Sequence, residues 1–513
     1  MASKPKPVRN VNPSRRFRFI ALIFGCFVVI AVTFFMVSKP QTPFLANEIN
    51  NEKNDPVFDS SIKEDKNIHE LAGTTTETEN GGTKSSDLSS NQDKSHNGLA
   101  LIPTHSNYTI HDQTQEDSKI IQLGEQIQIL ERKPLCDVSD PRTDICEMHG
   151  DIRIHGSSSS VIFTESSTSP KTQHKESWRI HPYPRKGDAT CFARVRELTV
   201  EATSNVAPEC TATHRVPAVV FSTGGYAGNL FHDFTDLLVP LFATARQFDG
   251  EVMLAVTDLS VKWMEKYRLV LEKISNYPVI DLDEDKQVNC FAQVIVGLRA
   301  YNEFHIDPAR TPNGYTILDF TKFMRSTFSV QREAPLNIED FSGRRPRLVI
   351  IARRRTRAFT NTAEIVATAE ELGYEAVVAD TTLDLARFAR VVNSGDVMMG
   401  VHGAGLANMV FLPPNATLIQ VVPWGGLEWM ATVDFGSPAE EMGLKYEQYS
   451  IGVEESSLRE QYPREHAVFT DPMSFHRRGF HVLRSTFLEN QNVRLDVGKF
   501  RDVLWRALEN VLQ

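Results

Sequence analysis

Downstream of residue 217 the chain alternates short apolar runs with stretches whose apolar residues recur every three or four positions, the pattern of strands joined by amphipathic helices. Strands are expected at 218–222, 251–257, 277–282 and 291–298, with helices at 230–248 and 261–274. In the first helix Leu230, Phe234, Leu237, Leu238, Leu241, Phe242 and Ala245 form one apolar stripe. The alternation resumes after Pro346. Residues 347–352 (RLVIIA) suit a strand buried on both faces. Ile365, Val366, Ala369 and Leu372 then make a helical face closed by Gly373, and Asn361 with Glu364 reads as a capping box at its start. A strand at 374–379, a helix carrying Leu385, Phe388, Ala389 and Val392, and a strand at 396–401 complete two strand-helix-strand units. A last amphipathic helix over 500–511 is expected to pack back on the body. The fold class is α/β, and the economical architecture is two such domains facing across a cleft.

Polar residues gather where these strands end. Residues 347–352 empty into Arg353, Arg354, Arg355 and Arg357, and 396–401 runs into Gly400-Val401-His402-Gly403-Ala404-Gly405, a glycine turn before a helix start. Open parallel sheets bind ligands outside the carboxyl ends of their strands, and a helix start offers unpaired amides, so this arrangement suits a phosphate. Taken singly, the arginines fit a solvated strand end and the glycines fit tight packing. His402 alone is a weak signal; beside that turn and those cations it becomes a ligand to phosphate or ribose. Upstream, His232, Asp233 and Asp236 follow the glycine-rich stretch 223–229, in the first turns of a helix at a sheet edge. Trp424, Trp429 and Glu428 could line a sugar subsite or simply pack. Asp434 and Glu440 are undecided, and Glu454 and Glu455 read as solvated loop charges.

The start of the chain sets a compartment. Basic residues from Lys4 to Arg18 precede an uncharged run at 19–37, about 28 Å long as a helix. The charge asymmetry makes 1–18 a cytosolic tail, 19–37 a signal anchor and the remainder lumenal. A cleaved signal peptide is the rival reading, but the run is long for one and no small-x-small site follows. Residues 38–119, with TTTETE and serine-rich pieces, lack the means to form a core and read as a disordered stem. Asn107 and Asn415 head glycosylation triplets. The net charge of −10 and the lack of a basic stripe argue against a nucleic-acid partner. In an oxidising lumen the local disulfides Cys136 with Cys146 and Cys191 with Cys210 are expected, leaving Cys290 free and buried. No ligand spacing suggests a metal site.

Four segments occur in order: GNLFHDFTDLLVPLF (228–242), RRRTRAFTN (353–361), MGVHGAGLANMVFLPPNATLIQVVPWGG (399–426), and a tail with EESSL (454–458) and Asp471-Pro472. From about Cys136 onward the chain resembles glycosyltransferase family 61, in its plant xylan-decorating branch. The resemblance implies a GT-B fold. A Rossmann-like acceptor-side domain would occupy 120–340, a Rossmann-like nucleotide-sugar domain 341–490, and a terminal helix 491–513. It implies a Golgi type II membrane enzyme that moves arabinofuranose or xylose from a UDP-sugar, with inversion, onto xylose units of xylan. No metal or other cofactor is expected, and other xylan-synthesis enzymes and the Golgi membrane are the implied partners. The family's usual pair of arginines four apart selects Arg353 and Arg357 and leaves Arg354 and Arg355 unassigned. With His402, Gly403, Ala404 and Gly405 they are expected to hold the diphosphate, whose charge grows as it leaves. The nucleotide then leaves the acceptor to the upstream domain, with His232 or Asp233 as base and Asp236 in support; the bland reading is that both aspartates cap loop amides. Alternatives are xylosyl or other transfer to N-glycans or protein, or a non-catalytic Golgi subunit of the same fold. A retired site would have no physical reason to keep these charges.

Overall fold

Two sheets organise the part of the chain that the computed structural model describes, residues 134–164, 175–203, 207–336, 343–380 and 384–512. The expected tail, anchor, stem and Asn107 lie outside the described residues. Within them, no helix is long and apolar enough to cross a membrane.

The first sheet contains β1 (Cys136–Asp137), β2 (Ile145–His155), β3 (Ser160–Thr164), β4 (Lys175–Ile180), β5 (Leu198–Thr203), β6 (Ala212–Thr213), β7 (Ala218–Ser222), β8 (Met253–Thr257), β9 (Ile280–Asp281) and β10 (Val288–Val296). Its main order is β4-β5-β3-β2-β10-β7-β8-β9. Strands β10, β7, β8 and β9 are parallel, the α/β pattern anticipated from their apolar runs. The upstream lobe nevertheless departs from a plain Rossmann-like domain, because β2 runs antiparallel to β10 and carries β3, β5 and β4 beyond it. Along β2, Met148, Ile152 and Ile154 are buried while His149 to Asp151 are exposed, so this wing is covered only in part and does not read as a continuous apolar run.

The second sheet is wholly parallel: β11 (Arg347–Ala352), β12 (Glu375–Asp380), β13 (Val397–Val401), β14 (Thr417–Val422) and β15 (Lys445–Ser450), in the order β12-β11-β13-β14-β15. This is a doubly wound order whose crevice opens between β11 and β13, where the chain leaves in opposite directions. The helix Val497–Leu512 covers one face through Phe500, Val503, Leu504, Ala507, Leu508 and Val511. Asn361 does not form the expected capping box. Its amide donates to Glu364 Oε2 and to the Leu495 carbonyl, both at 2.9 Å, and its Oδ1 accepts from the Leu495 amide, which ties the chain before the last helix to the lobe.

The cysteines correct the sequence expectation. Cys136 pairs with Cys146 as anticipated, but Cys210 pairs with Cys290, and Cys191 is the buried free thiol. The parallel pairing of β6 with β10, Ala212 to Asn289 and Thr213 to Cys290, brings the two distant sulfurs together. Cys191 instead packs near Gly225, where a Cβ would lie 3.0 Å from its sulfur.

Candidate active site

Arg353 and Arg357 follow β11, and His402 to Gly405 follow β13, so both groups stand at the switch point of the second sheet. Arg353 donates from Nε to the Thr356 carbonyl at 2.8 Å, and Arg357 donates from Nη1 to the His402 carbonyl at 3.0 Å. Neither guanidinium has a carboxylate partner among the described residues, and Arg357 Nε is buried with no hydrogen bond. Burial lowers the pKa of both, and Arg353 beside it helps push Arg357 down to about 9. Gly403 makes room for the pair. Its φ is 143°, and a Cβ there would stand 2.7 Å from Arg357 Nη1 and 3.0 Å from Arg353 Nη1. The helix Ala404–Phe411 starts at this glycine, and its first amides lack partners within the helix. Arg354 fits the solvated reading: it is exposed and ion-paired with Asp380, while Arg355 is exposed.

His402 is buried between this cradle and the lobe junction. Gln420 Nε2 donates to its Nδ1 at 2.7 Å, which places the ring proton on Nε2, and Tyr446 hydroxyl donates to Gln420 Oε1 at 2.7 Å. Burial, Arg357 and Arg353 push the imidazole pKa down to about 3, so the ring is neutral. Its Nε2 faces Asp434 Oδ2 at 3.8 Å.

In the upstream lobe the two aspartates diverge. Asp233 is fully buried and saturated: Oδ1 accepts from the Gly228 amide (2.7 Å) and Trp263 Nε1 (3.0 Å), and Oδ2 from Lys266 Nζ (2.9 Å) and Tyr267 hydroxyl (2.7 Å). That is the loop-capping arrangement, with no lone pair turned to a substrate. Asp236 Oδ2 accepts from Arg185 Nε at 2.8 Å, His232 Nδ1 at 2.9 Å and Tyr183 hydroxyl at 3.1 Å. Burial alone would raise its pKa, but Arg185 and His232 hold the carboxyl below the usual range. Glu303 completes the network, accepting from Arg142, Arg185 and Thr235. His232, half-buried and packed on Tyr226 at 4.7 Å, thus keeps its Nδ1 proton on Asp236 and its Nε2 lone pair free to take another.

The two halves meet through aromatic rings. Phe231 and Phe304 pack edge-on or tilted against Phe435 at 5.5 and 6.2 Å, Phe234 meets Phe411 at 6.2 Å, and Phe435 touches His402 at 5.6 Å. The expected site residues therefore share one junction, except that Asp233 faces the core. Arg142, Arg185 and Glu303 were missed because they come from separated segments with no motif. Trp424 is a packing residue whose indole donates to the Val468 carbonyl, whereas Trp429 and Glu428 are exposed. Glu455 is buried, accepting from Tyr449 hydroxyl and the Gly452 and Asp496 amides, and is not a solvated charge. Asn415 is exposed at a turn with φ 66°.

Known proteins resemble this chain in sequence. The family model for glycosyltransferase 61 matches residues 230–419, from the His232 helix to β14. Alpha-1,3-arabinosyltransferase XAT3 of Oryza sativa subsp. japonica is 44% identical over 574 residues, covering 99% of this chain and 99% of that protein. Alpha-1,3-arabinosyltransferase XAT2 of the same organism is 51% identical over 435 residues, covering 80% and 74%. Its Beta-1,2-xylosyltransferase XYXT1 is 42% identical over 387 residues, covering 73% and 83%. With relatives matched at this identity over nearly the full length, the chain belongs to glycosyltransferase family 61.

Proposed function

We propose that this chain is an inverting, GT-B-type pentosyltransferase that moves arabinofuranose or xylose from a UDP-sugar onto xylose units of xylan. The observation that carries the reading is the pair of half-buried guanidiniums of Arg353 and Arg357, matched by no carboxylate among the described residues and packed against Gly403 at a helix start. Two such cations are unfavourable alone and complementary to a diphosphate. They would stabilise the charge that grows on the leaving UDP without a divalent ion, and the amides of Gly403, Ala404 and Gly405 would add to them. His232, with Asp236 fixing its tautomer, takes the proton of the attacking xylan hydroxyl through Nε2. The names of the relatives support xylan as acceptor and leave both pentoses open.

Two disulfides support a lumenal site of action, and with the apolar run at 19–37 favour a Golgi type II protein. The full chain in membranes, given xylo-oligosaccharide and a panel of UDP-sugars, should release UDP and lengthen the acceptor by one pentose with UDP-arabinofuranose or UDP-xylose. Transfer should survive excess EDTA. Turnover restricted to hexose donors would overturn the proposal.

A further inference from the structure

Asp434 stands apart from the other acids of the junction because, among the described residues, no arginine or lysine pairs with it. Its side chain is about a quarter exposed, and no hydrogen bond joins its carboxyl to another described residue. Glu303 and Asp236, by contrast, are held by arginines. Its one ion-pair contact among the described residues is with His402 Nε2 at 3.8 Å, too far for a direct hydrogen bond. The Gln420 amide occupies the other ring nitrogen, so Nε2 carries a proton on the side of the ring where the carboxyl stands 3.8 Å away. An N–H donor and a carboxylate acceptor at this spacing are complementary to one hydroxyl group, which can accept from the first and donate to the second at ordinary distances of about 2.7 to 2.9 Å.

The position of this gap says which hydroxyl belongs there. His402 gives its carbonyl to Arg357 and is followed directly by Gly403, so the gap adjoins the diphosphate cradle. Phe435, next to Asp434, packs on His402 and on Phe231 and Phe304 of the upstream lobe, so the gap lies on the side of the cradle that faces the acceptor lobe. The part of a nucleotide sugar between its diphosphate and the acceptor is the sugar. We propose that Asp434 and His402 form the subsite for the transferred pentose, with one ring hydroxyl bridging His402 Nε2–H and the Asp434 carboxylate. This rests on the nucleotide-sugar reading above and adds to it the residues that distinguish UDP-pentose from UDP. The raised pKa of Asp434, about 7 through burial and Glu303 against the opposing Arg185, fits a carboxyl that lacks a partner until the sugar arrives.

Calorimetric titration of the full chain with UDP, UDP-xylose and UDP-arabinofuranose, in the wild type, Asp434→Asn and Asp434→Ala, tests it. UDP affinity should stay within about threefold in all three proteins, and affinity for the bound UDP-pentose should weaken about tenfold or more in both variants, the loss of a charge-assisted hydrogen bond. The KM for donor should rise with it. Equal weakening of UDP and UDP-pentose would overturn the sugar subsite by placing Asp434 in the phosphate cradle. Unchanged UDP-pentose affinity with reduced kcat would overturn it in favour of a role in proton transfer. If the wild type binds no UDP, the nucleotide reading itself has failed. Should Asp434→Ala unfold, the isosteric Asn variant carries the comparison.

Discussion

Arg357 combines a left-handed backbone, φ 54°, with a buried guanidinium and a cationic neighbour, each unfavourable until an anion binds. Arg353→Ala and Arg357→Ala should each lower kcat/KM by about 10² to 10³. Thermal unfolding without nucleotide should stay put or move upward, and the stabilisation that UDP gives the wild type should disappear. Normal kcat/KM in both variants would remove the phosphate role. His232 and Asp233 separate in a second experiment. Asp233→Asn leaves several buried donors facing an amide and should lower stability in urea by on the order of 2 to 4 kcal/mol. His232→Ala should fold normally and bind UDP, yet transfer roughly 10² more slowly. The opposite pattern would move the base to Asp233. Acidity gives a third test. Glu303 and Arg185 face Asp434 from the upstream lobe, with neutral His402 beside it, and its pKa near 7 means that it gains a proton as the pH falls through neutrality. A protonated carboxyl loses the charge that favours a hydroxyl donor, so donor KM should rise several-fold between about pH 8 and about pH 6 in the wild type and stay flat in Asp434→Asn. Parallel profiles would count against the subsite.

At the scale of elements, the two aspartates Asp236 and Asp434 sit in the same local device. Asp233–Leu238 and Thr432–Gly436 are π turns, closed by i→i−5 bonds from Val239 to Phe234 and from Ser437 to Thr432. Asp236 lies four residues before Pro240, and Asp434 four before Pro438. Proline has no N–H for the carbonyl four residues back and crowds it, so the wider turn absorbs the mismatch and re-aims the side chain. Pro438→Ala restores the missing donor. We expect the segment to tighten and rotate Asp434 away, lowering kcat/KM tenfold or more while the melting temperature holds or rises; a kinetically silent variant would mean that the proline does not set the geometry.

This repeated Asp-x-x-x-Pro was present in the sequence and could have promoted Asp434 from undecided. The strands at 218–222 and 347–352 were legible residue for residue, because both-face burial leaves an unbroken apolar run. The glycine turn and its arginines were legible for the same reason: each follows such a run. The wing built on β2 was not, since its partners are set by long-range antiparallel pairing that no local turn announces. Nor was the burial of Glu455, which depends on Tyr449 and on the amide of Asp496.

For the molecule as a whole, long-range links matter most. Cys191 is the cysteine nearer to Cys210 in the chain, yet the observed Cys210–Cys290 bond closes 80 residues and ties β6 to β10. A loop of that length corresponds to about 4.5 kcal/mol of restricted unfolded-state entropy. Cys210→Ser should therefore lower unfolding free energy by up to that amount under oxidising conditions and much less with reductant present, while Cys191→Ser should show no such dependence on reductant. The aromatic contacts of Phe231, Phe304 and Phe435 join the lobes in the same way, through residues next in the chain to His232 and Asp434, the proposed proton acceptor and sugar ligand.

The cradle of Arg353, Arg357 and Gly403 has one further implication. On the proposed reading it would grip the diphosphate and make no demand on what that diphosphate carries, so UDP would keep these contacts after the pentose has gone. Spent nucleotide would compete with fresh donor for the same two arginines. Sustained turnover would then depend on how quickly UDP is cleared, and an enzyme of this design would slow as its own by-product accumulates.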